Sequence, residues 1–285
     1  MSIDVIAVVG AGTMGHGIAH VAALAGAQVR LYDLDEAVVS RGLQAIAANL
    51  AKGVARGKVD EATLDATVAR ISGGTDLAQA VAGADLVVEA VPEKLELKRS
   101  LFAAVEPHVG ARAILATNTS SLSIARISEA VTRPGQVIGL HFFNPVHIMQ
   151  LLEIVVHDGT APVVLQACRE WGAAIGKQCI TVKDFPGFAT SRLGVCLGME
   201  AIRMVEQGVA SAEDIDTAMV LGYRHPIGPL RLTDLVGVDV RMHIGEYLAK
   251  ELGNAAFEPP DLMRRMVADG LLGKKTGRGF YSWES

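Results

Sequence analysis

Gly10-Ala11-Gly12-Thr13-Met14-Gly15 is the stretch of this 285-residue chain that decides its fold. An apolar run over residues 5–9 precedes it and predicts a buried strand, whereas residues 14–25 after it predict a helix. A second strand is predicted over residues 28–32. Three glycines spaced in this way between a strand and a helix are typical of a doubly wound α/β domain.

The glycines and the helix that follows them suit a phosphate ligand. Gly10 allows the tight turn, Gly12 lets a pyrophosphate approach the backbone, and Gly15 lets the helix pack closely on the strand. The first helical turn, which contains Thr13 and Met14, offers free N–H groups to the phosphates. We therefore predict a dinucleotide at this turn.

Asp33 indicates which dinucleotide binds. It lies at the end of the second predicted strand, 18 residues after Gly15. A carboxylate there can accept hydrogen bonds from both ribose hydroxyls and would repel a 2′-phosphate. The sequence therefore predicts NAD rather than NADP as the cofactor.

Composition limits the class of protein. Half of the residues are hydrophobic, 20% are charged and the net charge is -5, which excludes disorder and argues against a basic nucleic-acid-binding surface. The longest uncharged run, 134–152, contains two histidines and an Asn-Pro pair, so it does not predict a membrane span. Cys168, Cys179 and Cys196 match no metal-ligand spacing and are expected to be buried free thiols. We expect a cytoplasmic protein without a metal site, a nucleic-acid partner or a membrane partner.

The pattern changes after Asp184. Before it, apolar runs at 85–90, 113–116, 137–140, 151–156 and 179–182 predict strands that alternate with helical stretches, the longest at 36–71. After it, helices are predicted at 188–207, 211–221, 229–236, 237–252 and 259–270, with a short strand signal at 279–283. We predict a Rossmann-type, mostly parallel sheet domain over 1–184 and an all-helical domain over 185–285.

Several segments together resemble one family of dehydrogenases. They are GAGTMGHGIA (10–19), DLVVEAVPE (85–93), NTSSLSI (118–124), GLHFFNPVHIMQLLE (139–153), DFPGF (184–188) and KKTGRGFY (274–281). In these segments, and over nearly the whole chain, the sequence is similar to the L-3-hydroxyacyl-CoA dehydrogenases, with the length of the bacterial short-chain members. The resemblance implies hydride transfer between NAD and an L-3-hydroxyacyl-CoA, with 3-hydroxybutyryl-CoA as the expected substrate.

The resemblance also implies the catalytic residues. His141 matches the family's base, and an imidazole can move a proton in either direction near neutral pH. Glu153 matches the carboxylate that orients the imidazole, Ser120 the hydroxyl that bonds the substrate oxygen, and Asn144 a nicotinamide contact. The alternatives are a histidine that is only part of the core and ordinary turn chemistry for Ser120 and Asn144. His147 matches no family role.

Further cofactor contacts follow from the same resemblance. Glu93 and Lys98 match positions near the ribose and nicotinamide, the alternative being an exposed Glu–Lys pair at a helix start. Lys275 matches another cofactor contact. Ser191 stands where many members carry an asparagine that faces the substrate, so the acyl preference at this point is open.

The coenzyme A site and the oligomeric state are less specific in sequence. Lys52, Arg56 and Lys58 are candidates for the phosphates of coenzyme A, or they line a solvated helix face. Gly194-x-x-x-Gly198 predicts close helix packing, either within the core or in the homodimer that the family forms through this domain. Alternative functions are a dehydrogenase of a 3-hydroxyacid without coenzyme A and an inactive NAD-binding structural protein.

Overall fold

A computed structural model describes residues 2–284 of the chain. The chain divides into two compact units after Asp184. Residues 1 and 285, the outer limits of the two predicted domains, lie outside the described residues. The first unit is an eight-stranded sheet with helices, and the second unit is helical.

The sheet of the first unit has the strand order β3-β2-β1-β4-β5-β6-β7-β8. The strands are β1 (Val5–Val9), β2 (Gln28–Tyr32), β3 (Ile71–Gly74), β4 (Leu86–Glu89), β5 (Ile114–Thr117), β6 (Val137–Phe142), β7 (Leu151–Val156) and β8 (Gln178–Lys183). Neighbouring strands are parallel except for β6 and β7, which are antiparallel. The predicted mostly parallel Rossmann-type sheet followed by a helical unit is therefore confirmed.

In the described part of the chain, twelve α-helices pack on the sheet or build the second unit. The first unit contains α1 (Thr13–Leu24), α2 (Glu36–Ala55), α3 (Glu61–Ala69), α4 (Leu77–Val81), α5 (Leu95–Val105), α6 (Ile124–Ser128) and α7 (Pro162–Ala174). The second unit contains α8 (Thr190–Glu206), α9 (Ala212–Thr217), α10 (Pro229–Val236), α11 (Val238–Leu252) and α12 (Asp261–Ala268). Within residues 2–284, none of these helices combines the length and the apolar composition needed to cross a bilayer.

The central strands explain where the site lies. Nearly every residue of β1, β4, β5 and β6 is buried, as expected of strands covered by helices on both faces. β1 lies between β2 and β4, so the strand order reverses beside it. Ligands of open α/β sheets bind at the carboxyl ends of the strands at such a reversal. The glycine-rich turn, residues 10–15, follows the carboxyl end of β1 at this reversal of strand order.

The sequence did not predict every element. β3 was missed, because Ile71-Ser72-Gly73-Gly74 is short and two glycines weaken the strand signal. The helix predicted over 211–221 is α-helical only as far as Thr217, and a π-helical turn, Ala218–Gly222, follows. The strand signal at 279–283 was wrong, since only isolated bridges, such as Arg278 with Ser282, occur there.

The prediction of three buried thiols was also wrong. Cys168 is fully buried in α7, Cys179 is half-buried at the edge strand β8, and Cys196 is exposed on α8. Burial raises the pKa of the Cys168 thiol to about 12. Cys196 lies on the solvent face of an amphipathic helix, a position that composition alone does not reveal.

His20 gives the fold a predictable response to acid. It is 3% exposed in α1, its ring stacks on His147 with the centroids 5.4 Å apart, and its Nδ1 has no hydrogen-bond partner within residues 2–284. Burial, together with nearby His147, His16 and Lys177, lowers the pKa of His20 to about 4. Between pH 6.5 and 4 the unfolded chain therefore binds a proton that the folded chain does not.

We expect the unfolding free energy to fall by up to about 3 kcal/mol through His20 as the pH drops across this window. His20→Gln should make the decline of Tm between pH 7 and pH 4.5 shallower than in the unsubstituted protein. His108→Gln, at an exposed position, should leave the slope unchanged. The same slope in all three proteins would contradict this assignment.

Candidate functional site

The turn after β1 requires glycine at two positions. Gly10 adopts φ +104°, and a Cβ there would lie 2.7 Å from the carbonyl oxygen of Ala90. A Cβ at Gly15 would lie 1.6 Å from the carbonyl oxygen of Gly10. The first turn of α1 therefore packs directly against the end of β1, which brings the helix N-terminus to the edge of the sheet.

Gly12 and Asp33 show that this edge fits a dinucleotide. Gly12 is the N-cap of α1, and within residues 2–284 no heavy atom beyond the adjoining backbone and neighbouring residues lies within 4 Å of the position that its Cβ would take. The first turn of α1 contains no acidic residue, so its N–H groups and positive helix dipole suit a pyrophosphate. Asp33 Oδ2 accepts a hydrogen bond from the backbone N–H of Ala11 at 2.8 Å, which holds the carboxylate beside the turn.

His141 and Glu153 form a buried pair. The antiparallel register of β6 and β7 places the two residues directly opposite each other, and His141 Nδ1 lies 2.7 Å from Glu153 Oε2. Glu153 is fully buried and His141 is 7% exposed. A carboxylate only accepts hydrogen bonds, so Nδ1–H of His141 donates and Nε2 is the nitrogen that can accept a proton.

The structure also brings Glu93, Lys98 and Ser120 together. Glu93 Oε1 accepts hydrogen bonds from Thr119 Oγ1 at 2.5 Å, from the Ser120 backbone N–H at 2.8 Å and from Ser120 Oγ at 3.2 Å. Lys98 Nζ lies 3.2 Å from Glu93 Oε2. The alternative of an exposed Glu–Lys pair is wrong, because Lys98 is 1% exposed.

Two polar residues of this region had no assigned role in the sequence analysis. Glu89, the last residue of β4, lies 2.7 Å from Lys98 Nζ. Asn118 Oδ1 accepts a hydrogen bond from the Phe142 backbone N–H at 2.9 Å, which ties the turn after β5 to the end of β6. The sequence does contain a signal for Glu89, because a charged residue directly follows the apolar residues 86–88 at the end of a predicted strand.

The remaining candidate residues of the first unit are exposed. Asn144 is exposed in the turn after β6. Lys52, Arg56 and Lys58 are exposed at and beyond the end of α2, and in the described chain none of them pairs with a carboxylate.

Ser191 and Lys275 belong to the second unit. Ser191 is half-buried in the first turn of α8, and Lys275 Nζ donates to Asp239 Oδ2 at 2.7 Å. Gly198 is buried on the same helix as Ser191, and a Cβ there would lie 2.4 Å from Arg241 Nη1 of α11. Gly198 therefore serves core packing within the unit.

Comparison with known proteins identifies the family. Residues 5–185 match the family model for the NAD binding domain of 3-hydroxyacyl-CoA dehydrogenase, and residues 187–283 match the model for its C-terminal domain. The chain belongs to the 3-hydroxyacyl-CoA dehydrogenase family. The predicted enzyme class and NAD as its cofactor are thereby confirmed.

Relatives that match this chain over their full length carry consistent names. The chain is 40% identical to a probable 3-hydroxybutyryl-CoA dehydrogenase of Bacillus subtilis, over 100% of this chain and 99% of that protein. It is 41% identical to a 3-hydroxybutyryl-CoA dehydrogenase of Mycobacterium tuberculosis, over 99% of each. The crystal structure of (S)-3-hydroxybutyryl-CoA dehydrogenase from Ralstonia eutropha superposes with a TM-score of 0.95 at 39% identity, covering 100% of both chains.

Two glycine substitutions should separate cofactor binding from folding. Gly12→Ala places a methyl group in open space, so Tm should change little, but the methyl occupies the approach of the pyrophosphate and should weaken NADH binding by about tenfold or more. Gly15→Ala should instead lower Tm or prevent folding. Thermal unfolding and fluorescence titration with NADH measure both effects. NADH affinity unchanged in Gly12→Ala would place the dinucleotide elsewhere.

Asp33 should set the choice between NAD and NADP. Asp33→Ser removes both the size and the charge of the side chain, whereas Asp33→Asn removes only the charge. If repulsion of the 2′-phosphate decides the choice, both variants should lower the ratio of kcat/KM with NAD to kcat/KM with NADP. An unchanged ratio in both variants is incompatible with this role.

Proposed function

We propose that this enzyme interconverts L-3-hydroxybutyryl-CoA and acetoacetyl-CoA with NAD, and that His141 and Glu153 are its acid–base pair. The observation that carries the proposal is the buried hydrogen bond of 2.7 Å between His141 Nδ1 and Glu153 Oε2. The names of the relatives that match over the full length support the short acyl chain.

The reaction needs one proton and one hydride to leave the substrate. In the oxidative direction, the C3 hydroxyl gives its proton to Nε2 of His141, and the hydrogen on C3 leaves with its electron pair as a hydride. NAD, when bound, supplies the nicotinamide that accepts this hydride. The negative charge of Glu153 stabilises the imidazolium that forms, and it keeps the ring oriented for the reverse step.

Ser120 and Asn144 complete the proposed site. The Ser120 hydroxyl bonds the substrate oxygen, and its turn is held by Glu93 through the hydrogen bonds described above. Asn144, in the turn that follows β6, orients the nicotinamide. Ser191 and Lys275 remain predicted contacts of the substrate and the cofactor on the basis of family resemblance.

The coenzyme A phosphates are proposed to bind Lys52, Arg56 and Lys58. Their exposure and their lack of carboxylate partners within residues 2–284 support this role, since a phosphate could then pair with them directly.

A homodimer through the helical unit also remains a proposal. Leu193, Leu221 and Tyr223 of this unit are 72%, 75% and 77% exposed, and a dimer through this unit could bury them. Sedimentation should give about twice the chain mass, and a purely monomeric protein would exclude the dimer.

The location of the enzyme in the cytoplasm also remains a prediction from the sequence.

An assay of the unsubstituted enzyme tests the substrate class. NADH oxidation should be far faster with acetoacetyl-CoA than with free acetoacetate at equal concentration. Equal rates would favour a 3-hydroxyacid dehydrogenase that does not use coenzyme A. The absence of turnover with either compound would instead favour an inactive NAD-binding protein.

His141 and Glu153 should act as one unit. His141→Ala should reduce kcat by about 10²–10⁴-fold, the usual contribution of general acid–base catalysis. NADH affinity should barely change, because the phosphate and ribose contacts lie at the glycine turn and Asp33. Glu153→Gln should also lower kcat, and the double variant should lose much less than the product of the two single losses.

Steady-state kinetics of all four forms with 3-hydroxybutyryl-CoA measures this coupling. His108→Ala, at an exposed imidazole after α5, is the control and should retain normal kcat. Strictly multiplicative losses, or near-normal turnover in His141→Ala, would remove the pair from the mechanism.

A further inference from the structure

Glu89 is a buried carboxylate that the proposed reaction does not use directly. It ends β4, and its side chain is 1% exposed. Burial raises its pKa, an effect that the neighbouring Lys98 ammonium opposes. Glu89 borders a small void that has no room for a water molecule, and the other residues that line this void are apolar, namely Val9, Val87, Leu101, Phe102, Val105 and Leu115. A charge in such surroundings costs stability unless it is fully paired.

Three groups donate hydrogen bonds to the Glu89 carboxylate. Lys98 Nζ donates to its two oxygens at 2.7 and 3.0 Å, Thr117 Oγ1 donates to Oε2 at 2.6 Å, and the Val91 backbone N–H donates to Oε1 at 2.7 Å. Lys98 is buried to the same degree as Glu89. A buried ion pair is often no more stabilising than apolar residues of similar volume, so stability alone does not account for this one.

The ion pair continues toward Ser120. The Lys98 ammonium that Glu89 holds also contacts Glu93 Oε2 at 3.2 Å. The other oxygen of Glu93 accepts the backbone N–H and the hydroxyl of Ser120. Glu93 itself is 38% exposed, so without Lys98 its carboxylate could turn toward solvent. A continuous chain of ion pairs and hydrogen bonds thus connects Glu89 to Ser120.

We infer that Glu89 is a positioning residue for the reaction. By holding Lys98, it directs the ammonium at Glu93 and thereby fixes the turn that presents the Ser120 hydroxyl. The inference rests on the proposed function, in which Ser120 bonds the substrate oxygen. A hydroxyl displaced by about 1 Å can cost roughly 100-fold in rate, so Glu89 can affect turnover through the two residues, Lys98 and Glu93, that connect it to Ser120.

Glu89→Gln tests this role, because it removes the charge at almost constant volume. We expect kcat with acetoacetyl-CoA to fall by about 10- to 100-fold. Glu106→Gln is the matched control. Glu106 also accepts four hydrogen bonds, from the backbone N–H groups and the side chains of Thr132 and Arg133, but it lies after α5, outside the site. In Glu106→Gln, kcat should stay within about twofold of the unsubstituted value, even if the loss of these hydrogen bonds lowers Tm.

A second background separates positioning from general damage. If Glu89 acts through Ser120, then Glu89→Gln should reduce kcat much less in a Ser120→Ala enzyme than in the unsubstituted one. The same factor in both backgrounds, or kcat in Glu89→Gln as high as in Glu106→Gln, would overturn the inference. Should Glu89→Gln fail to fold, the double variant Glu89→Leu/Lys98→Met, which removes both buried charges, takes its place with the same expected pattern.

NADH affinity provides a readout that needs no acyl-CoA. Because Glu93 and Lys98 are predicted cofactor contacts, Glu89→Gln should weaken NADH binding several-fold in a fluorescence titration, and Glu106→Gln should not. Equal affinities in the two variants would count against the inference. Failure of the proposed function would give a different result, because the unsubstituted enzyme would then not turn over acetoacetyl-CoA.

Discussion

The hydrogen bond between His141 and Glu153 is the constraint on which the proposed chemistry of this molecule depends. Glu153 is fully buried, so water cannot solvate its charge, and His141 provides a donor at 2.7 Å. The register of β6 and β7 sets this geometry, since the two residues are direct partners across the strands. Gly139, two residues before His141, allows the close approach, because a Cβ there would lie 2.7 Å from Val155 Cβ on the facing strand.

The parallel part of the sheet gathers the remaining groups. β1, β4, β5 and β6 run in the same direction, so the residues that follow or end them meet at one edge. Gly10 follows β1, Glu89 ends β4, and Asn118 follows β5, where its side chain bonds the backbone of β6. Polar and charged groups concentrate at this edge, whereas the residues that precede them in the strands are apolar. The fold therefore brings the glycine turn, the Lys98–Glu89 ion pair and the proposed acid–base pair, His141 and Glu153, to the same sheet of the first unit.

Sequence patterns predicted most of this arrangement, and tertiary packing explains the rest. The apolar runs that became β1, β4 and β6 are strong signals because both faces of those strands are buried. β3 carries no such run, and its pairing with β2 alone makes it a strand. The residue type and helical position of Lys98 left an exposed Glu–Lys pair open as the alternative to a cofactor contact. Its burial follows from Glu89 and Thr117 on adjacent strands, a relationship that depends on strand register and cannot be seen in one segment.

The most direct test of the account is the position of the proton on the His141 imidazole. Because the Glu153 carboxylate can only accept from Nδ1, we expect the neutral ring to carry its proton on Nδ1 and to leave Nε2 as the proposed base. Nitrogen-15 NMR of the labelled enzyme, with the His141 signals assigned by His141→Gln, distinguishes the two tautomers. The account predicts a protonated Nδ1 and an unprotonated Nε2 in the neutral ring. A neutral ring with its proton on Nε2 would contradict it.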